Sequence, residues 1–323
     1  MSDLEALLAG IVADAESDLP WLVLADWLEE FDDSRRAELT RLHLQLRQTC
    51  TEPDAHPERA AWHSRILELM EAGAKPCVPE RTLVLPGNVE LKMVFIPPGA
   101  FRMGSNSSQA FDHEKPVHIV TLTQGFWIGI HEVTQEQYEA VMGENPSEFK
   151  GRKRPVEQVS WDDAQEFCKK ASPLAGQTLQ LPTEAQWEYA CRAGSTTEYC
   201  NGDDEAALQR VGWYRENSKN ETHAVGELAA NAWGLHDCHG NVWEWCNDVD
   251  DAYKRGDCTD PVGPQAGYER VIRGGSWLYD ARLARAAFRD WIRPDSQDDY
   301  LGFRCVSSGR LAAPRAETDL SLG

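Results

Sequence analysis

The sequence has no long apolar segment and comparatively few basic residues, and each shortage excludes a class of protein. Its 323 residues include 32 Lys and Arg against 53 Asp and Glu, a formal net charge of −21. Such a charge repels phosphate backbones and anionic lipid, so we expect neither nucleic acid nor a membrane as a partner. The longest apolar runs, such as residues 22–25, are far too short to span a bilayer. The N-terminus lacks the basic and apolar stretches of an export signal, which predicts a cytoplasmic protein.

Common catalytic and metal-binding motifs are also missing. The nine cysteines are odd in number and include no C-x-x-C pair, which favours reduced thiols over a zinc site or a disulfide framework. The sequence contains no phosphate-binding loop, no dinucleotide-binding glycine motif and no nucleophile elbow of a hydrolase. Simple motifs therefore leave the function open.

Residues 1–75 have the pattern of a small acidic helical domain. Apolar residues at intervals of three and four predict a first helix from Leu4 to Val12. Pro20, Ser34 and Pro57 stand at the starts predicted for three more helices. Residues 1–73 contain 16 acidic side chains and 6 arginines, about half of the net negative charge.

Residues 82–307 are predicted to form an α+β domain, because short alternating segments are separated by Gly and Pro turns. Thr134 and Thr183 each precede a glutamine by three residues, the reciprocal capping pattern at the start of a helix. Ser160 is the predicted cap of another helix. Residues 308–323 have little to bury, and we expect this tail to be mobile.

Two parts of the chain resemble known families. Residues 93–305 contain, in order, MVFIPPGAFRMGS, EKPVHIVTL, GFWIGIHEVTQEQYEAV, RPVEQVSWDDAQEFC, LPTEAQWEYACRAG, GLHDCHGNVWEW, RVIRGGSW and LGFRC. These phrases resemble the formylglycine-generating enzyme, or sulfatase-modifying factor, superfamily, which implies a C-type-lectin-like fold. The N-terminal phrases MSDLEALLAGIVADAESDLPWLVLADWLEE and RAELTRLHLQLRQ resemble the repeat-companion domain, which implies attachment. A helical hairpin packed on the main domain is the alternative.

The oxidising members of this superfamily bind copper(I) through a cysteine pair that follows the Gly-Gly-Ser motif. Here the loop over residues 276–289 reads SWLYDARLARAAFR and contains no cysteine. Tyr279 stands about where the first cysteine would fall, and a phenol cannot replace a thiolate as a copper(I) ligand. We therefore expect no copper and no oxidase chemistry. Ser276 survives, and with Gly274 and Gly275 it also fits a tight turn that supports the loop.

The resemblance also implies a structural calcium site. The matching positions in relatives supply two side-chain oxygens and two backbone carbonyls, the hard ligands that Ca²⁺ prefers. They correspond to Asp237, Gly240, Val242 and Glu244. The alternative is that Glu244 pairs with a core arginine and that no ion binds.

The same resemblance also leads to predictions about the histidines and cysteines. Another branch of the superfamily holds iron with three histidines. The only pair of histidines inside one family motif here is His236 and His239 of GLHDCHGN, and we predict both on a surface loop without a metal. Relatives are cross-linked at the positions of Cys168 and Cys305, so these cysteines should lie close together. Cys191 should lack its usual partner.

The remaining candidate is a binding face. Aromatic and carboxylate side chains on a rigid scaffold suit recognition. The predicted ligand-binding residues are Trp277, Tyr279, Asp280, Phe288, Trp291, Asp298 and Tyr300. We therefore predict a non-catalytic module that binds a protein or a small molecule on the face formed by residues 277–300, with Trp243 and Trp245 buried beneath it.

The same stretch resembles the variable proteins of diversity-generating retroelements, which vary between R-G-G-S-W and G-F-R. Nine residues can be reached from an AAC codon by changing only adenines: Leu278, Tyr279, Asp280, Leu283, Asp290, Ile292, Asp298, Asp299 and Tyr300. This resemblance implies a sharper hypothesis, a target-binding variable protein. Two alternatives stay open: an adaptor in a bacterial regulatory or defence system without diversification, and an oxidoreductase of this fold that uses other residues.

Overall fold

The computed structural model describes residues 2–14, 17–49, 57–264 and 266–308. The tail that the sequence predicts to be mobile lies outside these residues, except for Ser308 in the last strand. Within the four described ranges, none of the helices combines the length and the apolar character that crossing a bilayer requires.

Four helices form the N-terminal part of the chain, as the apolar periodicity predicts. They are α1 (Asp3–Ala13), α2 (Leu19–Phe31), α3 (Ser34–Gln48) and α4 (Arg59–Glu71). α2 packs against α1 and α3, and α3 packs against α4. The contact between α2 and α3 is apolar, because Leu24, Leu28 and Leu39 are fully buried in it.

Short strands and helices follow, in agreement with the predicted α+β pattern. In chain order they are β1 (Glu80–Leu85), β2 (Val89–Ile96), β3 (Gly99–Met103), β4 (His118–Leu122), β5 (Phe126–Gly129), α5 (Gln135–Met142), α6 (Trp161–Ala175), β6 (Leu179–Gln180), α7 (Glu184–Arg192), α8 (Glu205–Val211), β7 (Trp243–Val249), β8 (Cys258–Thr259), β9 (Arg270–Arg273), β10 (Arg289–Ile292), β11 (Leu301–Gly302) and β12 (Val306–Ser308).

The strands of the described residues form three sheets. Their strand orders are β1-β2-β5-β12-β6, β10-β9-β7-β11 and β3-β4-β8. In the second sheet β7 pairs antiparallel with β9 and parallel with β11. This sheet therefore carries the segment from residue 274 to 300 on the connections between its strands.

Reciprocal capping starts the helices at the predicted residues. The Thr134 hydroxyl accepts from the backbone N–H of Gln137, and the Gln137 side chain accepts from the backbone N–H of Thr134 at 2.9 Å. Thr183 forms the same pair of bonds with Gln186. Ser160 caps α6 as predicted. These three predictions are confirmed.

A continuous buried core joins the helical part to the sheets. Leu46 of α3 lies against Gly194, where an added Cβ would come within 2.9 Å of Leu46 Cδ1. Gly194 also has a φ of +89°, which favours glycine. The hypothesis that the N-terminal helices pack on the main domain agrees with this contact.

The thiols agree with the expected arrangement. The sulfur atoms of Cys168 and Cys305 lie 3.6 Å apart, and both residues are buried free cysteines. Their predicted proximity is confirmed. Cys191 is also a free thiol, with its sulfur 3.6 Å from Nε2 of His239.

Among the described residues, four buried arginines of the C-terminal strands and loops each form a close ion pair with a carboxylate of another element. Arg285 binds Glu114 at 2.6 and 2.8 Å, Arg289 binds Glu184 at 2.7 and 3.0 Å, and Arg304 binds Glu244 at 2.6 and 2.7 Å. The fourth pair joins Arg273 to Glu188. Each pair has two fully or almost fully buried partners, so each arginine needs its carboxylate to offset desolvation.

Removing one of these arginines should leave an uncompensated buried carboxylate. We expect Arg285→Met to lower the free energy of unfolding by about 3–5 kcal/mol, measured by urea denaturation. Arg293→Met is the matched control. Its pair with Asp295 is 56% and 63% exposed, so the change should cost less than about 1 kcal/mol.

The double variant Arg285→Met/Glu114→Gln separates charge from packing. It should recover part of the loss, because the lone carboxylate is then removed as well. Equal losses for Arg285→Met and Arg293→Met would contradict this account.

Candidate binding face

A tight turn begins the predicted binding segment. Gly274 and Gly275 follow β9 with φ of +97° and +75°, values that favour glycine. A Cβ on Gly275 would lie 2.9 Å from the Cα of Ala284, so the returning chain packs directly against the turn. The predicted supporting turn is confirmed, and Ser276 beside it is buried.

Arg273, the last residue of β9, anchors the loop over residues 274–288 that follows it. Its guanidinium donates to the carbonyls of Ala286 and Ala287 at 2.9 Å each, and it also donates to the carbonyl of Phe288. Its ion pair with Glu188 fixes the guanidinium in turn. The backbone of residues 286–288 is therefore attached to α7 through one side chain.

Three of the predicted aromatic anchors are partly exposed: Tyr279, Trp291 and Tyr300. Tyr279 and Tyr300 meet edge to face, with ring centroids 5.5 Å apart. Trp291 lies farther along and meets His113 at 5.3 Å. A series of ring contacts through Trp243 and Phe288 joins the tyrosines to His113.

Trp277 and Phe288 lie elsewhere than predicted. Both belong to the predicted ligand-binding set, yet they are only 6% and 4% exposed. Trp277 packs on Phe149 and donates from Nε1 to the carbonyl of Asp299 at 3.0 Å, while Phe288 packs on Phe111. These two rings support the face from beneath rather than forming its surface. Trp243 and Trp245 are buried, as predicted.

Carboxylates surround the tyrosines. Asp280 is exposed, with its oxygen 3.8 Å from Arg215, and Asp298 is partly exposed. Asp299 is partly exposed as well, and burial, followed by the charge of Asp298, raises its pKa. The accessible part of the face therefore carries aromatic and acidic side chains, together with the exposed Arg282 and Arg293.

Glu157 lies beneath this acidic edge and is not among the predicted site residues, although the family phrase RPVEQVSWDDAQEFC contains it. It is fully buried, its Oε1 accepts from the backbone N–H of Phe149 at 2.8 Å, and its Oε2 has no hydrogen-bond partner. Burial, aided by the charge of Asp299, raises its pKa from 4.5 to about 7. The next residue, Gln158, donates from its backbone to the carbonyl of Asp298 at 2.9 Å, which links Glu157 to the face.

The predicted surface position of His239 is wrong. His239 is 1% exposed, its Nδ1 lies 2.8 Å from the carbonyl of Ala284, and its Nε2 accepts from the backbone N–H of Cys200 at 3.0 Å. Burial lowers its pKa to about 4. His236 is partly buried and stacks on His131 at 5.1 Å. His239 therefore packs inward, whereas His236 stays partly exposed. In the part of the chain that the structure describes, no three His, Cys, Asp or Glu side chains are placed to hold a metal ion.

The calcium candidates form a buried carboxylate cluster with one arginine. Asp237 accepts from the backbone N–H of Gly226 at 2.7 Å, and its Oδ1 is buried without a hydrogen-bond partner. Glu244 is in the ion pair with Arg304 that the alternative interpretation requires, and it also accepts from Trp187 Nε1. Glu132, which the sequence did not indicate, accepts from Asn241 Nδ2 at 2.9 Å.

The cluster has more acidic groups than basic ones, so a bound cation would balance its charge. Burial raises the pKa of Asp237 to about 6, and burial and the charges of Asp237 and Glu244 raise that of Glu132. One guanidinium, from Arg304, faces these three carboxylates. The open oxygen of Asp237 fits a Ca²⁺ ligand, whereas Glu244 could bind an ion only with the lone pairs that Arg304 leaves. We propose calcium at Asp237, Gly240, Val242 and Glu244 on this basis.

Comparison with known proteins adds the family context. Residues 84–308 match the family described as Sulfatase-modifying factor enzyme 1-like domain. The chain is 29% identical to Chaperone protein LppX of Paenibacillus barcinonensis, over 67% of this chain and 89% of that protein. It is 36% identical to the formylglycine-generating enzyme of Streptomyces coelicolor, over 53% of this chain and 58% of that enzyme. The solved structure of Treponema denticola variable protein 1 superposes with a TM-score of 0.67 and 31% identity, over 71% of this chain and 99% of that one.

The raised pKa of Glu157 predicts a pH-dependent stability. The folded state keeps a proton that the unfolded chain releases near pH 4.5, so this contribution is complete below that pH and is lost as the pH rises through about 7. Glu157→Gln mimics the protonated form. It should melt at a higher temperature than the native chain at pH 8 and at nearly the same temperature at pH 4.5.

Thermal denaturation at several pH values between 4.5 and 8 measures this difference. Glu216→Gln, at an exposed position, controls for the loss of one charge. A Glu157→Gln advantage that stays constant across this range would show that Glu157 does not titrate in it.

The calcium proposal predicts that added Ca²⁺ raises the melting temperature, because an ion that binds only the folded state stabilises it. Asp237→Ala should abolish this rise, whereas Glu216→Ala should keep it. If chelation leaves the melting temperature of the native chain unchanged, the ion pair between Glu244 and Arg304 is the whole explanation of the cluster.

Proposed function

The chain belongs to the sulfatase-modifying factor enzyme 1-like family, and we propose that it is a non-catalytic member that binds a protein or a small ligand on the face formed by residues 277–300. One observation carries this proposal. Tyr279 and Asp280 lie at the surface of the loop between β9 and β10, whose returning backbone is held by Arg273, and Tyr300, just before β11, packs against the Tyr279 ring. A fixed backbone lowers the entropy cost of binding, because the face is already ordered before a ligand arrives.

The composition of the loop argues against the copper-dependent activity of the oxidising relatives. Residues 276–289 contain no thiol, and the position near which a cysteine would fall holds Tyr279. Tyr279 packs edge to face on both Trp243 and Tyr300, which suits an aromatic contact surface. The residues present therefore do not fit a copper(I) site, and we assign no oxidative step to them.

A sharper proposal is that the face is varied by a diversity-generating retroelement. The nine positions that an AAC codon can reach are all at least partly exposed: Leu278, Tyr279, Asp280, Leu283, Asp290, Ile292, Asp298, Asp299 and Tyr300. Half of the residues between them are buried, namely Ala281 and residues 284–289. The structural similarity to Treponema denticola variable protein 1 supports the same proposal. The neighbouring DNA tests it: a reverse-transcriptase gene and a near-copy of the codons for residues 277–300 are expected.

The binding proposal predicts that Tyr279→Ala and Tyr300→Ala each weaken retention of a captured ligand by about 2 kcal/mol or more, because aromatic anchors carry a large share of interface energy. Their melting temperatures should change little, since both rings are partly exposed. Val84→Ala is the control, an apolar side chain that is 55% exposed on β1, outside residues 277–300. Ligands are first selected from a displayed peptide library with the native chain, and affinities are then measured by calorimetry.

The result that would reverse this assignment is a loss of stability in the two face variants without any selective loss of binding. The tyrosines would then belong to the core, and truncation would cost roughly 3–5 kcal/mol of stability.

The enzymatic alternative has its own test. A peptide that contains Cys-x-Pro-x-Arg, incubated with the copper-treated chain and oxygen, should keep its cysteine in mass spectra, because no thiolate pair is present in the loop. Conversion to formylglycine at enzymatic rates would show that the chain is an oxidase that uses other residues.

A further inference from the structure

Exposed apolar side chains are concentrated on one helix of the N-terminal part. Among the described residues, eight large apolar side chains are exposed, and four of them lie on α2: Leu19, Leu22, Val23 and Phe31, with exposures of 66%, 43%, 44% and 64%. Scattered exposed apolar residues are normal, but a contiguous group usually marks an interaction site. α2 is only 13 residues long, so these side chains are close neighbours.

The spacing along α2 separates two apolar faces. Trp21, Leu24, Ala25 and Leu28 are buried and form the face that packs on the neighbouring helices. Leu19, Val23, Trp27 and Phe31 recur every four residues and form a second row, which we call the α2 stripe. Trp27 and Phe31 touch within this row, with ring centroids 5.9 Å apart. The stripe therefore joins the exposed side chains Leu19, Val23 and Phe31 through Trp27, which is partly exposed and also packs on the core.

Acidic side chains run beside the α2 stripe. Asp26 and Glu30 lie four residues apart in the adjacent row of the helix, and both are exposed. Arg41 of α3 contacts Asp26 at 2.8 Å and Glu29 at 2.5 Å, so one basic residue is shared between two of the acids. The 16 acidic side chains and 6 arginines of residues 1–73 leave this whole part strongly negative.

We propose that the α2 stripe binds an amphipathic helix of a partner protein, in which lysines or arginines flank the apolar face. An apolar row at helical spacing fits another helix, which would bury Leu19, Val23 and Phe31 against its own apolar residues. The acids beside the row select basic flanks on that helix. A second copy of this chain fits poorly, because it would bring another negative helical part into contact with the first. This proposal is independent of the function proposed for residues 277–300.

The probe is a synthetic 18-residue helical peptide with leucines on one face and lysines elsewhere. Two comparison peptides are needed: one with glutamates in place of the lysines, and one with the same leucines and lysines scrambled so that no apolar face forms. Binding to the full chain is measured by fluorescence anisotropy at physiological ionic strength. The leucine–lysine peptide should bind at least tenfold more tightly than either comparison peptide.

Two neutral double variants locate the site. Val23→Ser/Phe31→Ser removes apolar surface from the α2 stripe without changing charge, and it should weaken binding of the leucine–lysine peptide at least tenfold. Val84→Ser/Val262→Ser is the control, because these residues are 55% and 64% exposed elsewhere on the chain, and its affinity should stay within twofold of the native value. Circular dichroism and melting temperature should match the native chain for both variants, since all four side chains are exposed.

Three results would overturn the proposal. Equal binding of the scrambled peptide would show that only the net charge of the chain attracts the lysines. Unchanged binding by the Val23→Ser/Phe31→Ser variant would place the peptide elsewhere. A concentration-dependent dimer of the native chain that this variant loses in sedimentation velocity would assign the α2 stripe to self-association.

Discussion

The arrangement of the C-terminal half depends on arginines that are buried with their carboxylates. Arg273, Arg285, Arg289 and Arg304 each reach an acid that is distant in sequence, and Arg273 also binds three successive backbone carbonyls. A desolvated guanidinium tolerates few alternative positions, because every other placement leaves a charge without compensation. This constraint holds the loop over residues 274–288 where little regular secondary structure is present. Aromatic side chains fill the core beneath this loop, but their packing alone does not fix the backbone conformation of the loop.

Local signals in the sequence were sufficient for the helices and for the fold class. A capping box such as Thr134 with Gln137 involves residues three apart, so its physics is fully contained in a short window. The motif order was sufficient for the C-type-lectin-like fold, which the family match and the similar solved structure support. The proximity of Cys168 and Cys305 came from the resemblance, since 137 residues separate them.

The candidate site was less predictable, because burial depends on partners that are far apart along the chain. Trp277 and Phe288 look like surface anchors in the sequence, yet contacts with Phe149 and Phe111 place them beneath the face. The pair of Arg285 with Glu114 spans 171 residues, and nothing local indicates it. No local signal marks Glu157 as a buried carboxylate either, and its raised pKa arises from burial and from the charge of Asp299, which is distant in sequence. Tyr279, which the resemblance to the family's loop indicated, is partly exposed as predicted.

The separation between supporting and exposed positions has an evolutionary consequence. Residues 284–289 are buried, whereas Tyr279, Asp298 and Tyr300 contribute mainly to the surface. Exchanges at the surface positions alter few of the contacts that fold the protein, so selection for folding acts weakly on them. Related chains can therefore differ at these surface positions while they keep the same backbone.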